Sequence, residues 1–406
     1  MSPRIRLGAS FVTVGGWTLA SRILGFVRDI LIAAVLGAGP VAEAFLVAFA
    51  LPNMFRRFFA EGAFNMAFVP MFARRLEGGE DARGFAADAY SALAAVLVAL
   101  TLVAQLVMPW LVLAMAGGFA GDARLELATL FGRIAFPYIL FISLAALVSG
   151  VLNSIGRFAA AAAAPVLLNV LFIAALVIAR VTGLDAGLAL ALAVPVAGAA
   201  QLALVHTAAA RAGFPIRPRW PRLTPELRRL AVIAAPAALA GGVVQVNLLV
   251  GRQVASFFDG AIAWLGYADR LYQLPLGVVG IAMGVVLLPD LSRRLRAGDT
   301  DGGRAAFNRA AEISLALTVP AALVFIAVPA PLVSVLFERG AFGPEDTRAT
   351  AIALAVYGAG LPAFVLQKVL QPLFFAREDT RTPFRYALWT LVTNAVVAVG
   401  LAPFLG

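Results

Sequence analysis

The feature that most limits what this chain can become is its succession of apolar segments, about 20 residues or longer, running almost end to end. Soluble domains are about 45–50% apolar and about 25% charged. Here the figures are 62% and 13%, with a mean hydropathy of +0.92. A water-soluble fold has nowhere to hide that much apolar surface. In lipid every backbone polar group must be satisfied within the spanning element, which leaves helices or closed barrels. These segments do not show the ten-residue alternation of barrel strands, so helices are predicted.

Hydropathy and helix breakers predict eleven helices near 10–36, 41–72, 86–116, 128–152, 160–180, 185–208, 228–257, 262–292, 308–337, 348–376 and 384–404. Several exceed the length needed to span, which predicts tilting, kinks or extension into water. Arg4 and Arg6 before an apolar stretch mimic a signal peptide, but that stretch is too long and contains Arg22 and Arg28. It is the first membrane helix. Twenty basic residues fall in segments on the N-terminal side of the membrane. Only Arg124, Arg180, Arg339 and Arg348 fall in loops opposite. The bias predicts a cytoplasmic N-terminus.

The longest connection, 209–227, contains Arg217-Pro218-Arg219-Trp220-Pro221 and separates six helices from five. The expected organisation is an N-terminal lobe over 1–210, a basic cytoplasmic linker over 211–227 and a C-terminal lobe over 228–406. Local echoes join the two parts. Val69-Pro70 with Arg74-Arg75-Leu76 matches Leu288-Pro289 with Arg293-Arg294-Leu295, and Leu51-Pro52 matches Leu274-Pro275. The fold class predicted is therefore an all-α polytopic membrane protein of two pseudo-symmetric helical parts, the C-terminal one incomplete.

With no cysteine, disulfides, thiolate nucleophiles and cysteine metal sites are excluded. The single histidine, His206, reads as an interfacial or packed side chain, since one imidazole cannot build a histidine metal site. No cofactor is expected. The net charge of +10 belongs to membrane topology rather than to nucleic acid.

Eight basic residues fall inside helices. Arg133 and Arg252 lie close enough to helix ends to snorkel, and Lys368 reaches towards the cytoplasmic side. Arg22 and Arg28 sit near the middle of the first helix, Arg56 and Arg57 at mid-depth in the second, and Arg270 in the outer half of the eighth. Each such arginine costs at least about 2.5–3.5 kcal/mol at the bilayer centre. Asp29, Glu61 and Asp269 lie nearby and read either as ion-pair partners or as cavity groups. Arg57 and Glu61 have the i,i+4 spacing of a pair. Three acids do not neutralise five arginines. The excess calls for an anionic ligand in a water-filled, protein-lined cavity, and arginine's planar fork suits phosphate. Gly25, Pro52-Asn53 and Gly62 loosen the helices beside these charges, as ordinary packing features or as bends at a gate.

At these residues the chain resembles the lipid II flippase family (MurJ, also called MviN) of the MOP exporter superfamily. The resemblance rests on Ser21-Arg22-Ile23-Leu24-Gly25-Phe26-Val27-Arg28-Asp29 and on the run from Leu51-Pro52-Asn53 through Arg56-Arg57 to Glu61-Gly62-Ala63-Phe64. Ala67-Phe68-Val69-Pro70, Phe136-Pro137-Tyr138, Tyr267-Ala268-Asp269-Arg270-Leu271 and Leu287-Leu288-Pro289 continue it. It implies two pseudo-symmetric helical lobes around a central cavity, and a transporter rather than an enzyme, working by alternating access in the bacterial cytoplasmic membrane. The cargo implied is lipid II, an undecaprenyl-diphosphate-linked disaccharide-pentapeptide. Positions matching Arg22, Arg28, Arg56 and Arg270 are implied in headgroup binding, with Asp29, Glu61 and Asp269 on family positions and Glu43 where aspartate is frequent. Family members usually have fourteen helices, so the eleven expected here lack the last.

Two alternatives stand beside this reading. One is a related exporter of another lipid-linked oligosaccharide. The other, a polyprenyl-phosphate glycosyltransferase, would need a large aqueous loop with paired carboxylates, whereas the longest loop is basic and about 20 residues. Coupling to membrane potential is conceivable at about 2.3 kcal/mol per charge per 100 mV. Gln245, Asn247 and Asn394 read either as interhelical hydrogen-bonding groups or as help for a monovalent cation. The expected partners are lipid II and membrane lipids, with the chain acting as a monomer.

Overall fold

The computed structural model describes residues 7–56, 63–282, 293–294, 297, 299–376, 379 and 381–405. Among these the regular structure is all helical, without strands. The helices are α1 (Leu7–Leu36), α2 (Pro40–Arg56), α3 (Ala63–Glu77), α4 (Ala82–Met115), α5 (Ala123–Ala135), α6 (Tyr138–Ser154), α7 (Ala159–Thr182), α8 (Ala186–Arg211) and α9 (Pro225–Ala255). They continue with α10 (Ala261–Ala282), α11 (Thr300–Ala327), α12 (Pro329–Phe337), α13 (Pro344–Ala376) and α14 (Arg381–Leu405). Seven stretches of the described residues are long and apolar enough to cross a membrane: Ala82–Met115, Ala123–Ser154, Ala159–Thr182, Ala186–Arg211, Asp301–Ala327, Pro344–Gln371 and Arg381–Leu401.

The expected helix boundaries fail where proline or a polar cap intervenes. The helix expected over 308–337 begins at Thr300, capped by Asp299 accepting from Gly302 N at 2.8 Å, and breaks at Val328. Pro329 opens α12 at its first position, where its missing N–H costs nothing. The helix expected over 128–152 starts at Ala123 and divides at Phe136-Pro137. That division is chemically self-contained. Pro137 has no N–H for the carbonyl of Arg133 four residues back, and Gln105 on α4 donates its amide to that carbonyl at 2.9 Å. Arg133 Nε returns a bond to the carbonyl of Gln105 at 3.2 Å. The helix expected over 41–72 is described as α2 and α3, and residues 57–62 between them lie outside the described set, as do 283–292, which include the echo Leu288-Pro289.

Packing groups the chain into two compact units, one of residues 1–36 and 40–257, the other of 37–39 and 258–406. By packing the first unit includes the basic segment 211–227 and runs on through α9. In the first unit α1 packs on α7, α7 and α6 on α8, α2 on α5, and α9 on α3 and α4. Phe45, Phe49, Phe172 and Tyr138 form one aromatic cluster, and Phe64, Phe68, Phe72 and Phe85 another. Outward faces are apolar: Val96, Leu102, Leu106 and Trp110 on α4, and Val177, Ile178 and Val181 on α7, are exposed as lipid-facing side chains are. In the second unit α13 packs against α10, α11 and α12. There Tyr267 Oη donates to Gly37 O at 2.8 Å, and Trp264 Nε1 donates to Asp346 at 2.8 Å.

The basic connection is pinned rather than loose. Phe214 and Ile216 are buried, Phe214 meets Phe72 edge to face at 5.4 Å, and the Arg83 guanidinium lies 5.4 Å over the Phe214 ring. Arg83 Nη2 also donates to Gly213 O, and Arg219 N to Ser91 Oγ, both at 2.8 Å. An aromatic pair contributes about 0.5–1.5 kcal/mol and a cation–π contact about 0.5–1 kcal/mol. Phe214→Ala should therefore speed trypsin cleavage after Arg219 about tenfold; an unchanged cleavage rate would show that the ring does not hold the segment.

Candidate functional site

The first polar cluster lies on the seam between α1 and α7. Arg28, 8% exposed, donates Nε and Nη2 to Asp29 Oδ1 at 3.0 and 2.7 Å and Nη1 to Asn169 Oδ1 at 2.8 Å. Asn169 in turn donates Nδ2 to Ser21 O at 2.8 Å, and the Phe172 ring lies 5.6 Å from the guanidinium carbon. Asn169 thus ties two turns of α1 to α7 and orients Arg28 towards protein. Gly25 belongs to the same seam, since a Cβ there would touch Asn169 at 3.5 Å. α1 runs as one helix through Gly25.

Arg22 takes a different face. Six residues separate it from Arg28, which is about 120° around a helix of 3.6 residues per turn. It is exposed and makes no hydrogen bond or ion pair with any described residue. On α2, buried Pro52 leaves the Ala48 carbonyl without its helical donor, and Asn53 Nδ2 donates to the neighbouring Phe49 carbonyl at 2.8 Å. Arg56 is half-buried in the last turn of α2. Arg57, Glu61 and Gly62 lie outside the described residues.

A second cluster was not visible in the sequence. Glu43, in the first turn of α2 and 1% exposed, accepts from Arg124 Nη1 at 2.9 Å. Arg124, 5% exposed, also donates Nε to Asp122 Oδ2 at 2.5 Å and stacks 4.7 Å over the Phe119 ring. Asp122 caps α5, and the N–H of Arg124 on its carboxylate holds that carboxyl below the usual range. Arg124, counted in the sequence among the outer-side charges, stands at the start of α5 as a buried partner, because a carboxylate as enclosed as Glu43 needs a cation beside it. The one hint was the Asp122-Ala123-Arg124 start of a helix, a cap followed by a long cation.

In the second unit Asp269 accepts from Gln273 Nε2 one turn along α10. Arg270 is half-buried on the same helix, and the rings of Tyr272 and Tyr357 lie 5.4 Å apart. Lys368 is exposed, with its ammonium 5.4 Å over Phe364. His206 is half-buried, edge-on to Tyr90 at 5.2 Å. Among the described residues no group of three or more histidine, aspartate or glutamate side chains could hold a metal ion.

Comparison with known proteins decides the family. A model described as the lipid II flippase MurJ matches residues 32–406. The chain belongs to the MurJ family. A probable lipid II flippase MurJ of Rhizobium meliloti is 50% identical over 402 residues, spanning 97% of this chain and 75% of that protein. The lipid II flippase MurJ of Burkholderia cenocepacia is 37% identical over 410 residues, spanning 99% and 80%. A solved MurJ structure in an inward closed conformation superposes with a TM-score of 0.83 at 24% identity, over 96% of this chain and 81% of its own. An inward-facing multidrug resistance MATE transporter of the MOP superfamily gives 0.73 at 13% identity, over 95% and 86%. At these identities the structural likeness speaks for the fold. The sequence motifs therefore pointed to the right family, one of membrane transporters rather than enzymes.

Proposed function

We propose that this chain carries lipid II from the inner to the outer leaflet of the cytoplasmic membrane by alternating access, with its N-terminus in the cytoplasm. Membership of the MurJ family supports the cargo, and the excess of basic residues on one set of loops supports the orientation. The observation that carries the proposed chemistry is Arg22, an exposed guanidinium midway along α1, read from the sequence as the first membrane helix, that makes no ion pair with a described residue. A group so costly to hold in lipid is accounted for by an anionic ligand. Arg22 and Arg56 bind the diphosphate, and the sequence resemblance adds Arg270 from the second unit. Arg28 acts as a positioning residue, since three of its five N–H groups are already given to Asp29 and Asn169. Membrane potential, acting on the cationic binding groups, is the driving force that fits this charge pattern, and a monovalent cation is the alternative.

A charged hydrogen bond contributes about 1.5–3 kcal/mol, so each lost arginine contact costs about ten- to a hundredfold. Arg22→Gln and Arg56→Gln should each lower flipping of fluorescent lipid II in proteoliposomes by that factor, with unchanged reconstitution. Wild-type flipping by the double variant would end the assignment.

A further inference from the structure

We propose that the first unit carries a separate binding site for the phosphate of an anionic glycerophospholipid, held by Arg157 and Arg211. The site is a cavity of about 410 Å³ where α6 ends, α7 begins and α8 ends. Its walls combine Arg157 and Arg211 with apolar groups, among them Leu152, Phe158 and Ala208. Both arginines are exposed, and neither side chain makes a hydrogen bond or ion pair with a described residue. No acidic side chain lines the cavity.

The backbone sets both charges in place by the same device. α6 closes with Gly156 in the left-handed conformation at φ 75°, its N–H on Asn153 O at 3.1 Å and the N–H of Arg157 on Leu152 O at 2.8 Å. α8 closes with Gly213 at φ 78°, its N–H on Ala210 O at 3.0 Å and the N–H of Phe214 on Ala209 O at 2.9 Å. These are the paired bonds of the Schellman end, which glycine accepts without the penalty other residues meet. Arg157 is thereby the third residue past one helix and Arg211 the last residue of the other. The first turn of α7 faces the same cavity through Ala159 and Ala160 and has no side-chain cap, so its N–H groups add partial positive charge.

Position selects the ligand. The three elements that meet here are ends of membrane-crossing stretches, Ala123–Ser154, Ala159–Thr182 and Ala186–Arg211. The cavity therefore sits at the level where a spanning helix leaves the hydrocarbon, which is where lipid phosphates lie. An apolar wall beside two cations suits a molecule with a phosphate head and an acyl tail, and basic pockets between helices on the cytoplasmic side are built for anionic headgroups. This site does not use Arg22, Arg28, Arg56 or Arg270, and its occupant is a bilayer lipid rather than the cargo.

The test is native mass spectrometry of the intact chain in detergent, titrated with phosphatidylglycerol, phosphatidylcholine or sodium phosphate. At about 1 kcal/mol per arginine near the surface, Arg157→Gln with Arg211→Gln should weaken phosphatidylglycerol binding about 30-fold. Arg157→Lys with Arg211→Lys should keep most of it, and Arg180→Gln all of it. On the wild-type chain a photoactivatable phosphatidylglycerol should crosslink within 152–160 and 208–212. The site is overturned if the glutamine pair binds as the parent does, or if wild-type crosslinks fall elsewhere. Phosphatidylcholine competing equally would refute recognition of an anionic lipid, and sodium phosphate alone filling the site as tightly would assign it to soluble phosphate.

Discussion

Replacing Arg124 by alanine should cost the chain about 3–5 kcal/mol, because it withdraws the cation from a carboxylate that is only 1% exposed. Removing one member of a buried pair is far more damaging than removing both. Glu43→Leu with Arg124→Leu should restore most of the loss, since apolar side chains of similar volume are tolerated where a buried ion pair stood. Asp122 survives that double change, because its main duty is to cap α5 through the backbone and its side chain is 38% exposed. The Phe119 ring would lose its cation but keep an apolar neighbour. Thermal unfolding in detergent, followed by intrinsic fluorescence, reads the outcome. An Arg124→Ala variant within about 1 kcal/mol of the parent would mean that the Glu43 carboxylate does not depend on Arg124.

The second large effect is expected at Arg28, and it separates a positioning role from a binding one. Arg28→Met withdraws three donated hydrogen bonds from Asp29 and Asn169 in a seam where Asp29 is 7% exposed. The expected loss is again about 3–5 kcal/mol of stability. Arg28→Met with Asp29→Leu should recover stability. If Arg28 positions α1 through Asn169, transport by that double variant should return in part as stability does. If Arg28 binds the diphosphate, stability returns while transport stays absent. Lipid II flipping and thermal unfolding measured on the same preparations distinguish the two results, and a stable, inactive double variant would overturn the positioning role.

The helical class and the family were legible in the sequence because both rest on local patterns, long apolar runs and uninterrupted motifs such as Leu51 to Phe64. Contacts between distant helices were not. Arg22 and Arg28 look equivalent in the sequence, six residues apart in one apolar helix. What divides them is Asn169, 141 residues downstream of Arg28, which claims one arginine and leaves the other exposed. The pairing of Arg124 was hidden for the same reason: its partner Glu43 comes from another helix 81 residues away. Helix ends at Val328 and Phe136 were missed because hydropathy is blind to proline when the flanking residues stay apolar.

The clasp between Gln105 and Arg133 bears on how breaks in membrane helices are interpreted. A discontinuity deep in a bilayer usually suggests either water or movement, since a stranded carbonyl must find a donor somewhere. At Phe136-Pro137 the donor is a glutamine amide from the adjoining helix, and the return bond closes the pair. The corner's carbonyl is therefore satisfied by protein alone, so the break can face lipid without needing a water.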